Sequence, residues 1–257
     1  MTVEVLLSCM HLNTDAKIME LVSRTNIKGN ATIVSQCDKN DYSQIGDIKI
    51  IYTTERGLSR SRNMAIENAT GDICLLCDDD EILEDDYEQS IIDAYTGNMN
   101  ADLIAFEIKR TDKRPYSKKT MKIGFKQILQ TSSVQITFKT RSVIENNINF
   151  DTLLGSGSGN GAGEENKFMF DLKNKHLNLL YVPKQIGCLL QNTTSQWFDG
   201  YTISYFEKHG WSCRRIMGSK LSIIYILYYI ITKYSYYKRN VSMFKALRME
   251  LKGWHRL

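Results

Sequence analysis

Three consecutive carboxylates, Asp78-Asp79-Asp80, follow directly on the apolar run Ile73-Cys74-Leu75-Leu76-Cys77. Adjacent like charges beside a core repel one another and lose solvation, so they do not serve stability. The usual compensation is a divalent cation, and an all-oxygen donor set favours Mg²⁺ or Mn²⁺. Magnesium is commonly held by one or two carboxylates together with substrate phosphates, so Asp78 and Asp80 at a strand end predict a metal-bound diphosphate. A solvated acidic loop is the plain alternative. An EF-hand beginning at Asp78 is excluded, because Leu83 and Gln89 stand where Gly and Glu are required.

Other sets of reactive residues fail on spacing. Cys74 and Cys77 are three apart on a predicted strand, so they face opposite sides of the sheet and cannot share a zinc ion. His11, His176, His209 and His255 show no ligand spacing. The run from Gly155 to Gly163 has glycine at every second position. It does not match the Gly-x-Gly-x-x-Gly dinucleotide fingerprint and no strand leads cleanly into it. Because it runs into Glu164-Glu165-Asn166 and an amphipathic helix, a mobile loop beside a site is favoured over a linker.

The elements that must hold these residues alternate. Val3 to Ser8 reads as a strand, followed by a helix capped by Asn13 or Thr14 with Ile18, Leu21 and Val22 on one face. Ala31 to Val34 and Ile48 to Tyr52 are further strands, and a helix spans about Ser59 to Ala69. The strand ending in the aspartates comes next, then a helix over Glu84 to Tyr95 and a strand over Asp102 to Ile108. Such alternation predicts an α/β fold with a mostly parallel sheet, whose ligands gather at the carboxyl ends of strands. Beyond residue 110 a strand over Gln135 to Lys139 and a short helix over Arg141 to Glu145 are expected.

At 257 residues the chain suits one large domain, or one domain with an appendage. Six cysteines without close pairing and the absence of a signal-peptide pattern at Met1-Thr2-Val3-Glu4 predict a reducing cytoplasmic setting. The net charge of +4 is unevenly spread. Residues 208–257 carry eleven Lys/Arg and one acid, whereas residues 1–207 carry 22 bases and 28 acids. A basic tail on an acidic body predicts an anionic partner. Within it, Leu221 to Thr232 is a twelve-residue apolar and aromatic run between Lys220 and Lys233. That is too short to cross a bilayer, which needs about 20 residues. Two readings stand: a helix lying at an anionic membrane surface over residues 219–257, or a packed core or homodimer helix. Nucleic acid is disfavoured, since the positive charge follows an apolar tyrosine-rich helix instead of basic loops.

The segments Gly57-Leu58-Ser59-Arg60-Ser61-Arg62-Asn63 and Gly71-Asp72-Ile73-Cys74-Leu75-Leu76-Cys77-Asp78-Asp79-Asp80 closely resemble family 2 glycosyltransferases of GT-A fold. Gly163-Glu164-Glu165-Asn166 resembles the acidic motif that opens their acceptor-side helix. The resemblance implies a Rossmann-like, mostly parallel sheet flanked by helices in a catalytic domain over 1–207. Residues 1–110 would bind the nucleotide sugar and 111–207 would serve the acceptor, while 208–257, by their own charge and apolar pattern, are expected to form a basic, membrane-associating helical extension. It further implies transfer of a sugar from a nucleoside-diphosphate donor to a glycan or polyprenyl-linked acceptor hydroxyl, usually with inversion. That activity belongs to surface-polysaccharide or capsule assembly on the inner face of the cell membrane.

By the same resemblance Asp80 is the favoured metal ligand, and Asp78 lies near the ribose or the metal's water shell with Asp79 in the variable middle place. Arg62 falls near the diphosphate and Asn63 beside it. Glu165 is the expected general base, with Glu164 as the other candidate. The nucleobase end departs from the family pattern. Ser35-Gln36-Cys37-Asp38 replaces an Asp-Asp pair, leaving Gln36 or Asp38 to accept from the base, and Ser8-Cys9-Met10 replaces Pro-Thr-Tyr. UDP is the default nucleotide. A sugar-phosphate nucleotidyltransferase would need a Gly-rich N-terminal phosphate loop, which Ser8 to Thr14 lacks. A non-enzymatic membrane adaptor would leave the aspartates, Arg62 and Glu165 without purpose. Trp197, Phe198, Trp211, Arg214 and Arg215, just before the apolar run, are expected to pack, with stacking on acceptor sugars as the alternative.

Overall fold

The computed structural model describes residues 1–110, 117–190 and 200–256. Trp197 and Phe198 therefore lie outside the described residues. The chain opens with β1 (Val3–Met10), α1 (Asp15–Arg24), β2 (Asn30–Gln36), β3 (Asp41–Ile45), β4 (Ile48–Thr53) and α2 (Leu58–Asn68). Next come β5 (Ile73–Asp78), β6 (Glu81–Leu83), α3 (Tyr87–Gly97), β7 (Leu103–Lys109), β8 (Met121–Lys122) and α4 (Phe125–Ile128). β9 (Ile136–Lys139), α5 (Thr140–Glu145), α6 (Glu164–Asn174) and β10 (Leu179–Leu189) complete the α/β body, and α7 (Ile203–Thr232), α8 (Tyr234–Tyr237) and α9 (Met243–His255) follow.

The strands form one sheet in the order β3-β4-β2-β1-β5-β9-β7-β10-β6, with β8 on β10. The β4-β2-β1-β5 half is parallel, as expected, while β9 enters antiparallel between β5 and β7. A sheet covered on both faces demands apolar residues on both sides of its central strands. On β5, Ile73, Leu75 and Cys77 join the core under α1 and α3, while Cys74 and Leu76 join the core under α2 and α6. The two thiols thus point to opposite faces, and all six cysteines are free.

Two local devices aim the strand ends. Thr14 caps α1 by accepting from Lys17 N, and Ile18, Leu21 and Val22 are buried on the sheet. At the opposite edge the buried Glu4 carboxylate accepts from Thr32 Oγ1 and from the Thr70 and Gly71 amides, each at 2.6 Å. Burial alone would raise its pKa, but these bonds and Lys49 outweigh it and hold the carboxyl below its ordinary value. Glu4 thereby fixes where β5 starts, and so where its aspartates end.

The C-terminal segment is a small helical bundle. At ~1.5 Å rise per residue a straight α7 would separate Tyr205 and Tyr229 by about 36 Å. Their hydroxyls instead meet at 2.6 Å. The helix folds back at Gly218, whose φ of 73° lies in the left-handed region open to glycine. Residues 203–217 and 219–232 are therefore two antiparallel arms. α9 crosses the first arm, with His209 Nδ1 2.7 Å from the buried Glu250 carboxylate. Trp211 and Ile216 of that arm belong to the core under α2 and α6. The change of charge at residue 208 therefore falls inside a helix that packs on the α/β body. No described helix is long and apolar enough to cross a membrane.

Candidate active site

Parallel register sets Ser8 of β1 beside Asp78 of β5, and Met10 beside Gln36 of β2. Paired residues in parallel strands share a face, so Ser8, Gln36 and Asp78 all lie on the side that α2 covers. α2 places Arg62 over that face, only 2% exposed. Its Nη2 donates to Asp78 Oδ1 at 2.9 Å and its Nη1 to Glu164 Oε1 at 3.0 Å. One guanidinium thus joins the strand end to the start of α6. Burial opposes its charge, but Asp78 and Glu164 prevail and raise its pKa.

The two glutamates separate by what they touch. Glu164 is buried, with one oxygen on Arg62 and the other accepting from Gly163 N at 3.1 Å. Glu165 is half-buried, and its carboxylate is held by its own backbone N–H and by no side chain. Burial, and then the neighbouring Glu164 charge, lift its carboxyl to about 8. A carboxyl so placed is a strong base once ionised and a proton acceptor without a competing side chain.

Within the acidic step, Asp78 is held a second time by Ser133 Oγ at 3.1 Å. Asp79 is exposed, and desolvation followed by the charges of Asp78 and Asp80 raises its pKa. Its backbone carbonyl accepts from Arg24. Asp80 is half-exposed, and its carboxylate makes no hydrogen bond or ion pair with a described residue. Among the described residues no three His, Cys, Asp or Glu are grouped to hold a metal unaided. A magnesium or manganese ion fits this donor set if phosphate oxygens complete it, with Asp80 as the open ligand and Asp78 beside it.

The residues expected at the donor divide. Ser8 Oγ is buried without a partner on the site face. The Cys9 thiol points to the other core, where burial pushes it up to about 12. Gln36 is buried, and its amide oxygen, reserved in the sequence reading for a nucleobase N–H, accepts from Gly57 N at 2.7 Å. Asp38 is exposed and paired with Arg56 at 2.8 Å. Asn63 gives and receives hydrogen bonds with the Phe150 backbone, at 2.9 and 2.7 Å, and so ties the 146–163 segment to α2.

The glycine-rich run is no linker. Ser156 O accepts from Leu58 N, Leu154 O accepts from Ser59 Oγ, and the segment closes on itself through Gly155 N and Gly161 O. It covers the entrance of α2 beside Glu164.

Two participants escaped the sequence reading. Ser133 lies 55 residues from Asp78 and carries no motif. Glu81 extends the acidic run to four, fully buried with both oxygens unpartnered. Its carboxyl is pushed well above the ordinary range by burial and then by the Asp78 charge. The fourth consecutive acid was the signal.

A mixed sheet whose β4-β2-β1-β5 half is parallel, with an acidic step at a central strand end and an Arg-tied acidic helix start, has the layout of a GT-A fold. Residues 31–153 match the model of glycosyl transferase family 2. The match takes in Arg62 and the aspartates and stops short of Glu164. Curated protein sequences give no match.

Among solved structures, S. aureus TarS 1–349 in complex with UDP-GlcNAc superposes with a TM-score of 0.63 at 14% identity, covering 100% of this chain and 79% of that one. TarS 1–349 in complex with UDP gives 0.61 at 14%, covering 98% and 81%. A further S. aureus TarS structure gives 0.60 at 15%, covering 93% of this chain and 45% of that chain. At such identities the likeness is one of fold.

Proposed function

We propose that the chain moves a sugar from a nucleoside diphosphate, UDP by preference, to a hydroxyl of a glycan or lipid-linked acceptor with inversion. The observation that carries this reading is Arg62 holding Asp78 and Glu164 at once. It draws the diphosphate-side and acceptor-side motifs to one buried point. The solved complexes of the fold neighbour with UDP-GlcNAc and UDP support the choice of nucleotide.

Ser8 Oγ, buried and unpartnered, waits at the strand end for a polar group of the nucleotide. Arg62 fixes Asp78 and leaves Asp80 free to hold a divalent cation. Such a cation, when bound, offsets the charge gathering on the leaving diphosphate. Glu165 accepts the acceptor hydroxyl's proton as that oxygen bonds to the anomeric carbon. The carbon–oxygen bond to the diphosphate breaks, and its electron pair leaves with the diphosphate.

The test is a panel of nucleotide sugars with and without Mn²⁺, read by thermal shift and donor turnover. UDP-sugars should stabilise the protein only with metal, and Asp80→Asn should remove that stabilisation while melting normally alone. Equal stabilisation of Asp80→Asn and wild type would sink the metal assignment. Absence of any nucleotide response would sink the reaction.

A further inference from the structure

The second arm of α7, residues 219–232, has two unlike apolar stripes. Ser222, Ile226, Tyr229 and Ile230 are buried against the first arm and α8. Opposite them, Ile224, Tyr228 and Ile231 are each between 62% and 65% exposed, with Leu221 at 38% and Leu227 at 45%. Their spacing of three and four residues makes one continuous face. The bundle has therefore satisfied its own packing, and this face is surplus to it.

Charge around the face is one-sided. From residue 219 onward the chain has a single acid, Glu250, which is fully buried on His209. Lys220 stands at the start of the arm, and Lys233, Lys238 and Arg239 follow it. None of these forms an ion pair with a described residue, and Lys233 sits over the Tyr236 ring. Tyr234 and Tyr236 are exposed at the same end. An apolar stripe flanked by tyrosines and lysines, on an arm too short to span a bilayer, matches a helix lying in the headgroup layer.

We infer that residues 219–239 form a docking face for an anionic lipid bilayer, with Ile224, Tyr228 and Ile231 entering the acyl boundary and Lys220, Lys238 and Arg239 meeting lipid phosphates. A second copy is the less suitable occupant. A two-fold contact would bring identical acid-free basic surfaces together with no carboxylate to answer them. This face involves none of the site residues, so the inference stands or falls apart from the reaction proposed above.

The experiment is flotation of the full chain with vesicles of phosphatidylcholine alone or mixed equally with phosphatidylglycerol. Light scattering at the same protein concentration runs in parallel. Wild type should float with the anionic vesicles, weakly with neutral ones, and lose binding as salt rises. Lys238→Glu and Arg239→Glu should each weaken binding about fivefold or more. Ile224→Asp with Ile231→Asp should abolish it while melting like wild type, since both side chains are exposed. The inference is overturned if wild type stays at the bottom with both vesicle types, or if the Asp variant floats as well as wild type. It is equally overturned if light scattering shows a dimer that the Asp variant splits and no vesicle binding. Removing residues 219–257 outright is a poorer test, because α9 and Trp254 pack on the first arm.

Discussion

Arg62 and Glu164 are 102 residues apart in the chain and share a 3.0 Å hydrogen bond inside the protein. The bond matters because the other arm of the same guanidinium is on Asp78. The strand that carries the acidic step and the helix that carries the glutamates are therefore set by one side chain. The arrangement also divides labour: Asp78 and Glu164 are spent on Arg62, whereas Asp80 and Glu165 keep their carboxylates open.

Arg62→Lys should be costly. A lysine presents one compact charge and cannot bridge two carboxylates as a planar fork does. Removing a partner from a buried ion network costs about 3–5 kcal/mol, and a lysine that reaches only one of the two carboxylates leaves the other buried without compensation. Urea unfolding should register a loss of that order, and donor affinity should fall with it. A lysine variant as stable as wild type would mean the triad is not a buried network.

Glu165→Gln and Glu164→Gln should fail in different ways. The first removes only the open carboxylate, so donor binding should hold and melting should not fall while turnover drops by about 10²–10⁴, the usual worth of a general base. The second disturbs Arg62, so melting temperature and donor affinity should fall together. Steady-state kinetics with a donor-binding isotherm separates the two. Full activity in Glu165→Gln would remove it from the chemistry.

What was legible in the sequence was local. The run Ile73 to Cys77 followed by aspartates, the Thr14 cap and the Ile18-Leu21-Val22 face each sit within one element, so pattern alone finds them. The misses depend on distant partners. β10 contains Pro183, which cannot donate to a ladder, and its pairing with β7 shifts register between Tyr181 and Gly187. β3 is an exposed edge strand with no apolar alternation. Ser133 reaches Asp78 only because β9 inserts between β5 and β7. The twelve-residue run was read as packed or membrane-facing; the arm has a packed stripe and an exposed one, since the turn at Gly218 is invisible to helical periodicity.

The contact between the first arm of α7 and α9 predicts a stability effect far from the site. A Cβ on Gly253 would lie 1.8 Å from the Glu207 carbonyl oxygen, where backbone and not a movable side chain blocks it. Gly253→Ala must therefore push the helices apart, and overpacking of this kind costs about 1–3 kcal/mol or more. The variant should melt lower in one transition with the body, because Trp211 and Ile216 on that arm belong to the main core. An unchanged melting temperature would mean the two helices do not pack this closely.

Glu165 also gives a pH dependence with two signs. Its carboxyl is lifted from the ordinary 4.5 to about 8 by burial and by Glu164. The basic form gains population as pH rises, so kcat/KM should climb through pH 8 and level off above it, and Glu165→Gln should lose that limb. Stability runs the other way. The folded chain holds this proton to about pH 8 while the unfolded chain releases it near 4.5. The group's contribution to stability is therefore full below 4.5 and drains away as pH climbs through 8. Glu165→Gln, permanently neutral, should gain on wild type in melting temperature between pH 5 and about pH 9. Parallel melting curves for the two proteins across that range would show that the carboxyl titrates normally, and the base would then have to be sought in another residue.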